Sequence, residues 1–141
     1  MDDAARQRFD AILESTIECL PPALLDLLEE VPLVVDDQPT PELIASLLAE
    51  WGEPDTSDVR DELASTLCGL HTGHMLTERS VEHSAELPES ISIFRAGITD
   101  IAGGPDADDD TLADQIEITI LHEIGHHFGL DEDDLERLGY A

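Results

Sequence analysis

His122-Glu123-Ile124-Gly125-His126 places two imidazoles four residues apart, with a carboxylate directly after the first. On a helix, residues at that spacing share one face about a turn apart, so His122 and His126 can address a single metal ion. Glu123 then stands beside the ion, where a carboxylate can polarise a water molecule and take its proton. These residue types at this spacing point to a hydrolytic zinc site. A histidine pair that merely packs and caps a helix is the plainer alternative, and the flanking residues weigh against it.

Those flanking residues must position the motif. Ile116, Ile120, Leu121 and Ile124 recur at helical steps, which predicts a core helix from about Leu112 to Phe128 with a wide apolar face. Four aspartates between Pro105 and Asp110 put negative charge at its amino-terminal end, and Asp110 or Thr111 is the expected cap. Gly129 supplies a residue suited to the left-handed turn that commonly ends a helix. After that turn Asp131, Glu132 or Asp133 can come back toward the ion as a third ligand, before a short final helix marked by Leu135 and Leu138. His127 is read as a surface residue or a support for the other histidines. His71, His74 and His83 lack the helical spacing and are expected at the surface, with His74 close enough to a Gly73 turn to enter a cleft.

The run from His122 to Leu138, HEIGHHFGLDEDDLERL, resembles the carboxyl-terminal motif of the small bacterial minimal-zincin metallopeptidase family. Leu76-Thr77-Glu78-Arg79-Ser80-Val81, the proline-led segment from Pro88 to Arg95 and the amino-terminal helix resemble that family in order and spacing, so the likeness covers nearly the whole chain. The resemblance implies an α+β, compact zincin-like fold, with a small mixed sheet packed against helices and the HExxH motif on a buried helix. It also implies an HExxHxxGxxD ligand set. Glu132 stands where the family usually has aspartate, which keeps an anionic oxygen but reaches about one methylene further. Glu132 therefore ranks first as the third ligand and Asp131 second, with Asp133 possible if the turn differs. The implied activity is hydrolysis of a peptide or protein substrate, with Zn2+ held by His122, His126 and Glu132, one position left for water, and Glu123 as general base and later proton donor. The alternative is a zinc-stabilised binding or regulatory module that no longer turns over peptides.

Upstream, Phe9, Ile12, Leu13, Ile17 and Leu20 predict an amphipathic helix over Asp2 to Leu20, stopped by Pro21-Pro22. A second helical piece is expected at Ala23 to Glu30, and Val31 to Val35 reads as a strand. Thr40 as cap, Pro41 in the first turn and Gly52 as terminator predict a helix through Trp51. The polar stretch from Glu53 to Glu62 reads as a surface loop. A strand is expected near Leu67 to Leu70, and another over Ile91 to Arg95, where apolar and polar residues alternate. That second strand could offer an edge to an extended substrate or serve simply as a core strand. Ile98 to Ile101 suggests one helical turn, and Glu78 and Arg79 a structural ion pair.

The 141 residues suit one domain, 1–141, with a mainly aliphatic core, since aromatics are only 4%. A formal charge of −28 argues against nucleic acid or an anionic membrane as partners. The excess fits a salty cytoplasm or a simply tolerated acidic surface, and an acidic mimic of nucleic acid is a third, remoter reading suggested by charge alone. Cys19 and Cys68 lack CxxC spacing and read as small buried side chains in a reducing compartment. No signal segment is apparent and no apolar run approaches the ~20 residues that span a bilayer, so a cytoplasmic location is expected.

Overall fold

The computed structural model describes residues 1–72 and 90–137, and in it the helical periodicities of the chain gather around a three-stranded mixed sheet. Helix α1 (Asp3–Glu18) begins at Asp2, whose carboxylate accepts the Ala5 N–H at 2.8 Å. Helix α2 (Pro22–Glu30) follows directly, with proline in its first turn where no N–H is needed. Strand β1 (Leu33–Asp36) starts later than Val31 because Pro32 has no N–H to give. The Pro32 carbonyl is still used, accepting the Ile91 N–H at 2.9 Å. Helix α3 (Pro41–Trp51) starts and stops as its residues predict, with the Thr40 side chain accepting the Leu43 N–H and Gly52 turning left-handed at φ 69°.

Glu53 to Glu62 is not a loop throughout. Ser57–Thr66 forms helix α4, whose cap is the Thr56 hydroxyl accepting the Val59 N–H at 3.3 Å. Its apolar face consists of little more than Val59 and Leu63, both half-buried, which is too sparse a repeat to read as a helix. Strand β2 (Gly69–Thr72) also begins later than expected, because Leu67 still donates its N–H to the Leu63 carbonyl at the end of α4.

Strand β3 (Ser90–Phe94) alternates as predicted and buries Ile91 and Ile93 completely. It lies at the centre of the sheet, in the order β1-β3-β2, parallel to β1 and antiparallel to β2. Ile93 faces Val35 on one side and Gly69 on the other. With both flanks already paired, this segment is a core strand, as its alternation favours, and has no edge to offer a substrate strand. Helix α5 (Arg95–Ile101) follows at once and is longer than the single turn expected. Helix α6 (Asp109–Phe128) and the short α7 (Glu132–Arg137) complete the α+β architecture. Leu76 to Val81, Glu78, Arg79, His74, His83 and Pro88 lie outside the described residues.

One core joins these elements. Phe9 and Leu13 of α1, Leu24 of α2, Ile91 and Ile93 of β3, Ile98 of α5, and Leu112, Ile116, Ile120 and Ile124 of α6 form a continuous buried cluster. Just past the ends of β1 and β3 an ionic cluster takes over. Asp37 accepts from Arg6 Nε at 2.8 Å and from Arg95 Nη1 at 3.1 Å, while Arg95 also donates to Asp10 at 2.9 Å. The hydrogen bond and charge of Arg6, then Arg95, hold the Asp37 carboxyl below the usual carboxylate range. The cysteines depart from expectation, since Cys19 at the end of α1 is exposed and Cys68 is half-buried. Among the described residues no helix is long and apolar enough to cross a membrane.

Candidate metal centre

The site rests on α6, and both ends of that helix are fixed by local chemistry. Its cap is Asp108 rather than Asp110 or Thr111, with the Asp108 carboxylate accepting the Thr111 N–H at 2.7 Å. Hydrogen bonding from the Thr111 side chain, and then from its N–H, holds the Asp108 carboxyl below its ordinary range. Any of the clustered aspartates could cap in principle, and this choice places Leu112 in the core at 2% exposure. Arg8 of α1 ties the same end by donating to Asp109 at 2.9 Å and to the Ala107 carbonyl at 2.6 Å. At the other end Gly129 turns left-handed at φ 67°, and the Leu130 N–H closes onto the Gly125 carbonyl at 2.8 Å.

Between those ends Ile116, Ile120 and Ile124 bury one face completely, which fixes the rotation of the helix. Its last two turns bring His122 and His126 together, with ring centroids 4.3 Å apart and planes inclined at 50°. Glu123 joins them, and one ligand atom from each of the three residues falls within 4.8 Å of the others. Both histidines are exposed, whereas Glu123 is buried at 6% exposure. Desolvation, and then the neighbouring His122, push the His126 imidazole below its ordinary pKa. A neutral imidazole is the form that binds a metal, and two such nitrogens with a carboxylate close beside them are a donor set that fits zinc.

Thr119 and Gly69 bear on the carboxylate arm of Glu123. Thr119 stands one turn back on α6, its hydroxyl donating to the Gln115 carbonyl at 2.8 Å. Gly69 of β2 passes so near that a Cβ there would stand 3.0 Å from Glu123 Cγ. Motif spacing points to neither of them, although a glycine inside a strand is itself a sign that something packs closely against the backbone.

Asp131 does not join the three-residue group. Its carboxylate accepts the Asp134 N–H at 2.8 Å, and Asp134 in turn accepts the Asp131 N–H at 3.1 Å, a reciprocal cap on α7. The Asp134 N–H bond holds the Asp131 carboxyl below its usual range. Glu132 opens α7, and its side chain lies outside the described residues. Asp133 is exposed on the same turn. His127 is not a surface residue: it is 2% exposed and meets the Phe128 ring edge-on at 4.7 Å. His71 belongs to β2, and its side chain is not among those described. Residues 28–140 match the zincin-like metallopeptidase family. A search of curated proteins gave no match.

Proposed function

The chain belongs to the zincin-like metallopeptidase family, and from that premise we propose that it is a zinc-dependent peptidase in which His122 and His126 hold the ion and Glu123 is the general base. The observation that carries this reading is the convergence of two imidazoles and a buried carboxylate within 4.8 Å on one core helix. Glu132 is the proposed third ligand. The engagement of the Asp131 carboxylate in capping α7 supports that ranking over Asp131. Zinc, when bound, supplies Lewis acidity that lowers the pKa of water at the site. The Glu123 carboxylate oxygen takes the proton of the attacking water and returns it to the leaving amine. Burial around His126 favours the neutral ring needed to hold the ion.

The substrate we propose is a peptide lying along β2, the strand beside Glu123. Among the described residues β2 pairs with β3 alone, and a flanking strand can bind an extended chain through main-chain hydrogen bonds, which the central β3 cannot. The formal charge of −28 favours a peptide over nucleic acid or an anionic membrane surface. Protein purified without chelator should carry about one equivalent of zinc. Wild type should cleave members of a peptide library, while Glu123→Gln keeps its zinc and loses cleavage by about 10²- to 10⁴-fold. Equal cleavage by both proteins would sink the assignment of the base. Zinc without cleavage in either protein would leave a zinc-stabilised binding module instead. Glu132→Ala should lose zinc and Asp131→Ala should keep it; the reverse result would exchange their roles.

A further inference from the structure

We infer that Gly69 is a positioning residue for Glu123: the missing side chain at this strand position is the space that holds the carboxylate arm in its place. This rests on the peptidase reading for its consequence, and on packing alone for its geometry. Glycine is not required here by backbone conformation, because Gly69 lies in an extended strand outside the left-handed region. Any residue could adopt that backbone, and glycine weakens a strand interior. The reason for glycine is therefore space.

A Cβ at Gly69 would stand 2.9 Å from Thr119 Cγ2, 3.0 Å from Glu123 Cγ and 3.2 Å from the Ser92 carbonyl oxygen. These three neighbours do not yield equally. The Ser92 carbonyl belongs to the central strand and is held by pairing on both sides. The Thr119 methyl sits on Cβ of a core helix, and its rotamer is held by the hydroxyl's 2.8 Å bond to Gln115. Glu123 Cγ is the one neighbour that moves by simple rotation about a side-chain bond. An added methyl group at residue 69 therefore presses the Thr119 methyl back slightly and, because Glu123 is the longer and more easily rotated side chain, swings its carboxylate away from His122 and His126. The glycine also lets the strand backbone lie directly beside that carboxylate arm, linking the substrate strand and the base through one contact.

Gly69→Ala tests this in the full-length chain. NMR of the wild type should show contacts from the Gly69 Hα protons to the Glu123 γ-methylene. In the variant the Glu123 side-chain couplings should report a changed rotamer, with a small local shift of the Thr119 methyl, while the Ile93 signals stay near their wild-type positions. Zinc content should remain within about 20% of wild type, and kcat should fall at least 10-fold with KM changed less than about 3-fold. Should the variant fold poorly, Gly69→Ala with Thr119→Ser removes the tightest contact, keeps the hydroxyl bond to Gln115, and leaves the clash with Glu123. An unchanged Glu123 rotamer in whichever variant folds would overturn the inference, as would a loss of zinc in step with activity. If wild type cleaves nothing while the rotamer still changes, the peptidase reading fails and the positioning contact stands.

Discussion

Two clamps hold this molecule, and they differ in kind. At one end of the sheet Arg6, Asp37, Arg95 and Asp10 join α1 to the end of β1 and the start of α5 through charged hydrogen bonds. Around Leu67, Cys68 and Gly69 the chain is instead gripped between α5 and α6 by close packing, with glycines at both contacts. The ionic clamp has long side chains, alternative partners and partial exposure, so it adjusts when one member is lost. The packed clamp has less slack, because its contacts are backbone atoms and the short Thr119 side chain, with Glu123 its one long side chain. The candidate site lies against the packed clamp. A carboxylate that has to be held in one position gains from a support that adjusts little.

The largest effect that separates the two clamps is expected at Gly97. A Cβ there would stand 2.1 Å from the Leu67 carbonyl oxygen and 2.5 Å from its carbon, both backbone atoms. No rotamer change relieves that contact, so α5 must move off the α4–β2 junction. Gly97→Ala should lose about 3 kcal/mol or more in a chemical melt. A loss below about 1 kcal/mol would show that the packed clamp yields as readily as the ionic one.

How far these features could be read in the sequence follows the same division. The α6 helix and the convergence of His122, Glu123 and His126 on it were legible because these residues sit on a strong apolar period closed by Gly129. Thr40, Pro41 and Gly52 marked α3 for equally local reasons. Features that depend on distant partners were not legible. The central place of β3 arises from pairing with β1 and β2, which no local pattern encodes. Helix α4 hid behind only two apolar residues, and its cap at Thr56 resembles many polar turns. Asp108 was chosen over Asp110 by where Leu112 must be buried, and Asp131 was taken up as a cap by its partner at Asp134. Gly69 carried a readable signal as a glycine in a strand, but its neighbour Glu123 lies far along the chain.

The ionic clamp should give smaller effects that change with conditions. Asp37→Asn should lower Tm by about 3 °C at pH 7 and low salt, and the deficit should shrink by about half at 0.5 M NaCl. Salt acts on the whole molecule in the opposite sense. With a formal charge of −28, wild type should gain a few degrees of Tm over the same range, because screening relieves self-repulsion. A wild-type Tm that falls with salt would mean attractive pairs outweigh the acidic excess.

The pH dependence gives the finest separation. Folding lowers the Asp37 carboxyl pKa, chiefly through Arg6 and then Arg95. Its stabilisation is therefore fully present above the unfolded value of about 3.9 and is lost as pH falls through the lower folded value. The amide introduced by Asp37→Asn cannot ionise, so the Tm difference between that variant and wild type should be constant from pH 7 to about 5 and close below about pH 4. The Gly97→Ala deficit contains no ionisation and should persist over that interval, wherever both proteins still melt cooperatively. If the two deficits instead close together on acidification, charge and packing are not separable supports, and the distinction drawn between the clamps fails.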